Sequence, residues 1–568
     1  MVTRWSHFNL RSRTFSALDL SICSSQLASR FTWQVLDQLY NSDHFPVQID
    51  ALLPSTNVTY PVRWNMKLCN WDRFTANIRI PSLPRDVDEA VELLSQSVLS
   101  AANISIPRTS GKFRKRNVPW WSDEVRQSIQ DKKKAFNRFR KSPTEDNLIT
   151  FKKLRARARR TVNLAKKTSW SKYVSSISSS TTTHSVWNKV RAVCGRKSCF
   201  NIHMLDVDGV NVNTPLDIGN VLGKHFASVS SSENYSPEFQ SKKDQLEVPL
   251  NFSSSKKFSY NSMFTMYELQ LTIASLKDTS PGPDDISYSM IQHLPPSALD
   301  QLLTLFNLIW SSGKYPDSWR QVTVVPFLKI GKDPLSPFSY RPISLTSCLS
   351  KILEKMINRR LVWFLESNSL LVSYQSGFRK FRSTLDHLSK LESAIQDSFL
   401  NKSHLSAIFF DLEKAFDMTW RYGILKTLHH WGLRGSLPLF ISSFLSRRSF
   451  RVRISNTLSD VYNLENGVPQ GSTLSVTLFL IAINKLVSCL PSSIGRCLYV
   501  DDLVIYYSSD SIDVIQETLQ DSINCLVKHV DECGFRFSTT KTSCVHFCRR
   551  RACSAPHQLK IKDLLLYL

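Results

Sequence analysis

The sequence of 568 residues predicts an α+β protein in which helices cover one face of an antiparallel sheet. From about residue 265 onward, strand-like runs such as "QVTVVPFL", "LSAIFFDL" and "LVIYY" alternate with helix-like runs such as "YGILKTLHHWGL". The run "STLSVTLFLIAINKLVSCL" is apolar enough to form a largely buried helix. Two adjacent aspartates, Asp501 and Asp502, stand between two apolar strands, and this placement points to a site of chemistry.

The residues before about 265 differ from the later part of the chain in predicted secondary structure and in charge. Residues 1 to about 52 are typical of short strands and turns, and "SDHFPVQID" has the alternation of a strand after a turn. Residues 112–167 are helical and strongly basic, with aromatic side chains interleaved. We expect the charge to bind RNA or DNA and the aromatic rings to pack; the alternative is a solvated helical spacer. Two Ser/Thr-rich stretches follow, "SSISSSTTTHS" and "SVSSSENYSPEFQSKK", and both are typical of loops.

The amino-acid composition, above all the net charge, indicates which class of binding partner to expect. The chain has 72 Lys and Arg against 47 Asp and Glu, a net charge of +25, and 42% hydrophobic residues. Such an excess favours a polyanion such as nucleic acid, although a ribosomal-type or merely soluble basic protein would also be basic. We expect no membrane partner, because no apolar run approaches the roughly 20 residues that a membrane span needs. The N-terminus has no hydrophobic segment of a secretory signal.

The 12 cysteines include no CxxC pair. Cys544, His546, Cys548 and Cys553 lie close together in sequence, but their spacing fits no common zinc site. We therefore expect core or surface thiols in a reducing compartment.

Acidic residues at two strand ends suggest a metal site. Asp411 ends the apolar run "AIFF", and Asp501 and Asp502 occupy the turn between "CLYV" and "LVIYY". If these elements are neighbours in one sheet, the three carboxylates share a small space and raise one another's pKa. Mg²⁺ ions, which prefer oxygen ligands, remove that cost, and two such ions clamp a phosphoryl transfer.

Several motifs in a fixed order carry a family resemblance. "SPGPDDIS", "KIGKDP", "YRPISL", "YQSGFRKFRST", "FDLEKAFD", "GVPQGS" and "YVDD" together resemble reverse transcriptases of LINE-type, jockey-like non-LTR retrotransposons over roughly residues 265–550. The resemblance implies a right-hand polymerase fold with palm and fingers. It also implies RNA-directed DNA polymerase activity, with an RNA template, a DNA primer or target and dNTPs as partners. The implied cofactors are two Mg²⁺ ions, with Mn²⁺ as an alternative.

The resemblance assigns roles to particular residues. It implies metal binding by Asp411, Asp501 and Asp502, catalytic protonation of pyrophosphate by Lys541, and nucleotide binding by Lys329, Arg341, Phe416, Gln470 and Gly471. Phe416, five residues after Asp411, holds the position of a steric gate against a ribose 2′-hydroxyl. Asp417 is expected to be a hydrogen-bond acceptor rather than a ligand. Val476 and Lys485 depart from the family pattern, away from the metal site.

"SDHFPV" resembles the closing motif of the apurinic-endonuclease-like domain that precedes the polymerase in these elements. Asp43 and His44 match its pair at the scissile phosphate, and Asp19 matches the aspartate that orients the histidine. About 50 residues are too few to rebuild that domain's core, so we expect no endonuclease activity.

These observations predict five segments. They are an endonuclease/exonuclease/phosphatase-like remnant (1–52), a basic helical linker that is a candidate for RNA binding (53–200), a Ser-rich extension (201–264), reverse transcriptase fingers and palm (265–548), and the start of a truncated, mostly missing thumb (549–568).

Two rival interpretations stay open. An RNA-dependent RNA polymerase shares the palm chemistry, although Phe416 and the motifs "YVDD" and "PQGS" argue against it. A catalytically impaired nucleic-acid-binding fragment is the other alternative. We expect an intracellular protein of the nucleus, the cytoplasm or both; the oligomeric state is left open.

Overall fold

The computed structural model describes residues 6–9, 14–17, 19, 21, 31–37, 44–51, 62–109, 118–178, 181, 183–193, 202–549, 558–561 and 564–566. The chain divides into two compact units. The first unit comprises residues 1–60 and 112–200, and the second comprises residues 61–111 and 201–568.

Both units contain helices and strands. The strands are β1 (His7–Asn9), β2 (Thr14–Ser16), β3 (Phe31–Val35), β4 (Val47–Ala51), β5 (Leu205–Val207), β6 (Val210–Val212), β7 (Gln321–Leu328), β8 (Tyr340–Leu345), β9 (His404–Phe410), β10 (Arg448–Ile454), β11 (Thr457–Leu458), β12 (Tyr462–Leu464), β13 (Gly495–Tyr499), β14 (Asp502–Ser509), β15 (Ser543–Phe547), β16 (Lys560–Ile561) and β17 (Leu564–Leu565). The helices are α1 (Trp71–Asn77), α2 (Val87–Ser105), α3 (Asp123–Lys141), α4 (Glu145–Val174), α5 (Thr183–Val193), α6 (Pro215–Val229), α7 (Pro237–Leu246), α8 (Met266–Ala274), α9 (Tyr288–Gln292), α10 (Pro296–Ser312), α11 (Asp317–Arg320), α12 (Cys348–Ser367), α13 (Thr384–Leu400), α14 (Arg421–His430), α15 (Ser436–Leu445), α16 (Thr473–Ile483) and α17 (Ile512–Glu532).

In the first unit, helices α3 and α4 pack against each other. Each begins at a capping side chain, because Ser122 accepts a hydrogen bond from the backbone of Val125 and Thr144 accepts one from Asn147. Their contact is aromatic: the buried rings of Phe136, Phe139 and Phe151 form a small core with Phe8. These aromatic residues therefore pack, which leaves the basic side chains to face outward.

Four strands of the second unit form an antiparallel sheet in the order β13-β14-β9-β15. One face, including Ile408 and Ile505, lies in the main hydrophobic core with α16 and α17. The opposite face is covered as well, because Leu405 and Ala407 pack against Ile395 and its neighbours on α13. The prediction of helices on one face is thus corrected to both faces. The reason is visible in β9, a nearly continuous buried run, as expected of a strand covered on both sides.

A second, mixed sheet has the order β11-β10-β7-β8, and β12 pairs with β10. Strands β10 and β7 are parallel, whereas β7 and β8 are antiparallel. Helix α6 covers this sheet, with Leu222 and Phe226 packed against Val324 and Phe450. The segment before residue 265 therefore contributes to the core beneath β8.

Residues 62–109, which the sequence placed in the linker, fold with the second unit. Phe74 of α1 and Leu94 and Val98 of α2 are fully buried in the main core. Asp86 caps the start of helix α2, because its carboxylate accepts hydrogen bonds from the backbone of Asp88 and Glu89. An apolar helix face of this kind needs a partner, and the main core supplies it.

Helix α16 ends at Ile483, earlier than the apolar run suggested. The side chain of Asn484 donates to Leu370 O at 2.8 Å and accepts from Val372 N at 3.0 Å, so the chain turns there to hold a neighbouring loop. Across the part of the chain that the structure describes, no helix combines the length and the apolar composition that crossing a bilayer requires.

Candidate active site

The register of the four-stranded sheet brings the predicted aspartates to one end. Strand β9 ends at Phe410, which pairs with Leu503 of β14, and Asp411 follows at once. Asp502 pairs with Tyr499 across the hairpin turn that holds Asp501. The three carboxylates are therefore placed at one sheet edge, where two adjacent strands end and turn.

The electrostatics of these carboxylates show that they interact. Burial raises the pKa of Asp501, and the negative charge of Asp411 raises it further. Burial also raises the pKa of Asp502, followed by the charges of Asp501 and Asp411. The ammonium group of Lys541 opposes these effects from its position 2.7 Å from Asp411 Oδ2. Clustered carboxylate oxygens that repel one another are a donor set that fits hard divalent cations.

The hairpin turn before Asp501 has a strained backbone, and residues of a distant segment of the chain hold it in place. Val500 has φ +60°, a left-handed conformation that is unfavourable for a β-branched residue. The fully buried amide of Gln375 accepts from Val500 N at 3.0 Å and donates to Val500 O at 3.3 Å. Gly377 also packs closely, because a Cβ there would lie 2.5 Å from the Val500 side chain. The segment "YQSGF" therefore fixes the turn that presents the aspartates.

The loop around Gln470 is locked against β8 and the segment after Asp411. Gly471 has φ +117°, and a Cβ there would lie 2.5 Å from Ser344 O. The backbone of Ser344 donates to Gln470 O at 3.0 Å, and Val468 N donates to Phe416 O at 3.0 Å. Glycine is required at this close approach, so the loop has one position relative to the strand.

Asp417 positions the Gln470 side chain. Gln470 Nε2 donates to both carboxylate oxygens of Asp417 at 3.2 Å, so Asp417 is a hydrogen-bond acceptor. Burial raises the pKa of Asp417 to about 6, while the hydrogen bond from Gln470 and the charge of Lys414 act in the opposite direction.

Cationic side chains cluster beside the carboxylates. Burial lowers the pKa of Lys329, and the nearby charges of Arg341, Lys541, Lys332 and Lys414 lower it further. Lys329 donates to Phe338 O at 2.9 Å, and Arg341 is exposed on β8. Mutual repulsion among fixed cations is relieved by a polyanion, so this cluster is suited to phosphate oxygens.

Phe416 lies at the boundary of the core. Its ring stacks on the ring of Phe479 in α16, with centroids 4.2 Å apart and an interplanar angle of 17°. The ring is partly exposed, and its backbone oxygen holds the Gln470 loop through Val468. The sequence-predicted gate is therefore fixed in orientation next to Asp417 and Gln470.

Three residues that support the site were not predicted from the sequence. Glu354 is fully buried, and its carboxylate accepts hydrogen bonds from Ser350, Ser472, Thr473 N and Leu474 N at the start of α16. Gln375 and Lys414 are the other two. A glutamate inside an apolar helix was the available signal for Glu354, whereas Gln375 and Lys414 lie in the motifs "YQSGFRKFRST" and "FDLEKAFD", which gave them no individual role.

The first unit contains the residues predicted to remain from an endonuclease-like domain. His44 Nδ1 lies 2.8 Å from Asp19 Oδ2, and the hydrogen bond from His44 lowers the pKa of Asp19. His7 packs edge-on against His44, with ring centroids 4.8 Å apart. Asp43 lies outside the described residues.

Comparison with known proteins places these features in a family. Residues 330–563 match the family "Reverse transcriptase (RNA-dependent DNA polymerase)". Residues 330–563 therefore form a reverse transcriptase domain, and the chain is similar over most of its length to polymerases of non-LTR retrotransposons. The match to the reverse transcriptase family includes Arg341, Phe416, Gln470, Gly471, Lys541 and the three aspartates, and it begins one residue after Lys329.

Three proteins similar to this chain come from transposable elements of Drosophila melanogaster. The probable RNA-directed DNA polymerase from transposon X-element is 26% identical over 84% of this chain and 54% of its own length. The RNA-directed DNA polymerase from mobile element jockey is 25% identical over 94% of this chain and 60% of its own length. The probable RNA-directed DNA polymerase from transposon BS is 30% identical over 51% of this chain and 32% of its own length. The chain thus spans about half to three fifths of the length of the first two relatives.

Proposed function

We propose that this chain is an RNA-directed DNA polymerase that extends a DNA 3′-hydroxyl along an RNA template with dNTPs. The observation that carries the proposal is the placement of Asp411 beside Asp501 and Asp502 at one end of a single antiparallel sheet. The mutual charge effects on their pKa values support a shared site.

The three aspartates would hold the divalent ions that the family requires. Two Mg²⁺ ions, or Mn²⁺ as an alternative, supply charge neutralisation and a clamp on the attacking and leaving oxygens when bound. The donor set fits, because hard cations prefer carboxylate oxygens and these carboxylates are crowded. Lys541 shares Asp411 with any such ion, and we propose that it then donates its proton to the leaving pyrophosphate.

The cations and the Gln470 loop would bind the incoming nucleotide. Lys329 and Arg341 donate to its phosphate oxygens, and Gln470, held by Asp417, lies beside its sugar. We propose that Phe416 excludes a ribose 2′-hydroxyl because its ring is fixed by stacking on Phe479. The product is accordingly DNA.

Helix α4 in the first unit offers a surface for the template. A shallow depression along one helix face is lined by the cations Lys152, Arg155, Arg159, Arg160 and Lys167. These positions recur at helical spacing, so their charges form one stripe that suits a phosphate backbone. We propose that α3 and α4 bind RNA.

We propose a palm built on the sheet β13-β14-β9-β15 and fingers that include the mixed sheet with β7 and β8. Within this scheme residues 265–548 are the polymerase module and 201–264 its extension. Of the predicted linker (53–200), residues 112–200 form the largely helical, basic segment, because residues 62–109 fold with the second unit. Residues 1–52 would descend from an endonuclease-like domain, which the Asp19–His44 pair supports. We place the protein inside the cell, in the nucleus, the cytoplasm or both.

Primer extension by the full chain tests the proposal. On poly(rA)–oligo(dT) with Mg²⁺, we expect incorporation of dTTP over UTP. The Asp501→Asn variant should lose the activity, whereas Asp510→Asn, an exposed acid at the end of the same hairpin, should keep it.

The two alternative functions predict different results in this primer-extension assay. Preference for UTP would favour an RNA-dependent RNA polymerase. Equal signals from wild type and Asp501→Asn, with retained binding to the template, would leave a catalytically impaired nucleic-acid-binding fragment.

A further inference from the structure

A second group of side chains that could bind a metal lies at the other end of the sheet β13-β14-β9-β15, away from the three aspartates. His404 begins β9, whose other end leads to Asp411. His546 pairs with Ser406 and Phe547 pairs with Leu405, so the antiparallel register brings Cys548 next to His404. The four residues that are close in sequence, Cys544, His546, Cys548 and Cys553, gave no zinc spacing, because the third ligand, His404, comes from another strand.

The ligand atoms of these three residues are close enough to share one ion. Those atoms of His404, His546 and Cys548 all lie within 4.8 Å of one another. His404 Nδ1 and His546 Nε2 are 3.2 Å apart. In a tetrahedral site with metal–nitrogen bonds of about 2.0–2.1 Å, two ligating nitrogens are about 3.3–3.4 Å apart. The imidazoles therefore already have nearly the separation that a shared ion requires.

The surroundings orient one histidine as a ligand. Ser406 Oγ lies 2.9 Å from His546 Nδ1, the ring nitrogen that faces away from His404. A hydrogen bond at that nitrogen fixes the ring and leaves Nε2 directed at the candidate ion, as second-shell partners do in metal sites. His404 is only 2% exposed, so the site is partly shielded from water.

We propose that His404, His546 and Cys548 bind one Zn²⁺ ion that is separate from the catalytic metals. Two imidazoles and a thiolate, with a water molecule as the fourth ligand of the tetrahedron, select a borderline-soft cation over Mg²⁺, which prefers oxygen ligands. Strand β9 is seven residues long, so the site lies about 20 Å from Asp411 and takes no part in the reaction. Its role is structural: the ion fastens β15, the edge strand that follows Lys541, to the central strand β9.

Metal binding by the reduced full chain tests this inference. After dialysis against Zn²⁺ in the presence of excess Mg²⁺, we expect one equivalent of bound zinc by elemental analysis. Co²⁺ substitution should give the thiolate charge-transfer absorption of a tetrahedral site. His546→Ala and Cys548→Ser should lose the equivalent, whereas Cys69→Ser and His529→Ala, which replace partly exposed residues outside the cluster, should retain it. Ser406→Ala should weaken binding by about 10- to 100-fold.

Thermal unfolding separates a lost ligand from a lost fold. Zn²⁺ should raise the melting temperature of the wild type and of both controls above the value that each has in chelator, but should not raise that of His546→Ala or Cys548→Ser. Two outcomes overturn the proposal: no zinc bound by the wild type, which would leave only a contact between imidazoles, or zinc retained in full by both cluster variants. Neither outcome bears on primer extension, because the catalytic aspartates are not altered.

Discussion

Replacing Gly471 by alanine should disconnect the Gln470 loop from β8. The residue has φ +117°, and an added Cβ would lie 2.5 Å from Ser344 O, which belongs to the backbone of a paired strand and cannot rotate away. Forcing an L residue into this conformation costs about 1–3 kcal/mol. Moving the loop to relieve the clash also breaks the bond from Ser344 N to Gln470 O, worth about 1 kcal/mol. The expected destabilisation is therefore about 2–4 kcal/mol.

Gly432 provides a matched control, because it has φ +79° but nothing lies within 4 Å of its Cβ position. Gly432→Ala should cost only the conformational strain of about 1–2 kcal/mol. Urea unfolding at constant pH measures both, and dNTP titration of primer extension should show a raised KM in Gly471→Ala alone. Equal destabilisation and an unchanged KM in the two variants would refute the close-packing argument.

Further predictions concern the gate, a buried acid and the basic helix. Because burial raises the pKa of Asp417 from 3.8 to about 6, the native state holds its proton more tightly than the unfolded state. Stability should therefore fall as pH rises from about 4 to about 6, by at most about 3 kcal/mol, since the carboxyl keeps partial contact with solvent. Asp417→Asn should flatten that part of a urea-midpoint profile, and an unchanged profile would contradict the assignment. Phe416→Ala should raise ribonucleotide incorporation relative to dNTP by roughly 10- to 100-fold in primer extension, and unaltered sugar preference would remove Phe416 from the gate. Arg155→Gln with Arg159→Gln should reduce the slope of log affinity for single-stranded RNA against log salt by about 1.4, whereas Arg157→Gln with Lys172→Gln on the other face should change it little. Equal reductions in both pairs would mean that the stripe is not the binding surface.

The sequence predicted the elements at the active site because their signals are local. Strand β9 is an uninterrupted apolar run, and the hairpin around Asp501 and Asp502 has apolar strands on both sides, so both could be located without coordinates. The order of the motifs then supplied the family. The α+β class and the reverse transcriptase family are confirmed, whereas the roles of individual site residues stay predictions.

What the sequence could not supply are contacts between distant segments. Gln375 supports Val500 across 125 positions, and Glu354 caps α16 across 118, so neither has a local pattern. His404 and His546 are 142 positions apart, which hid the second ligand cluster behind an uninformative cysteine spacing. The helices of residues 62–109 were assigned to one linker with α3 and α4, but their buried apolar faces decide that they fold with the main core.

Binding of Mn²⁺, followed by the loss of its free-ion EPR signal, tests the shared carboxylate site most directly. Wild type and Asp510→Asn should bind Mn²⁺ in the absence of nucleotide, and Asp501→Asn should bind it far more weakly. Lys541→Met should tighten binding by roughly 1.4- to 5-fold, since removing an ammonium group 2.7 Å from Asp411 frees a ligand whose solvent-exposed ion pair is worth about 0.2–1 kcal/mol. Mn²⁺ affinity that is identical in wild type and Asp501→Asn would contradict the proposal that these aspartates act together on one metal site.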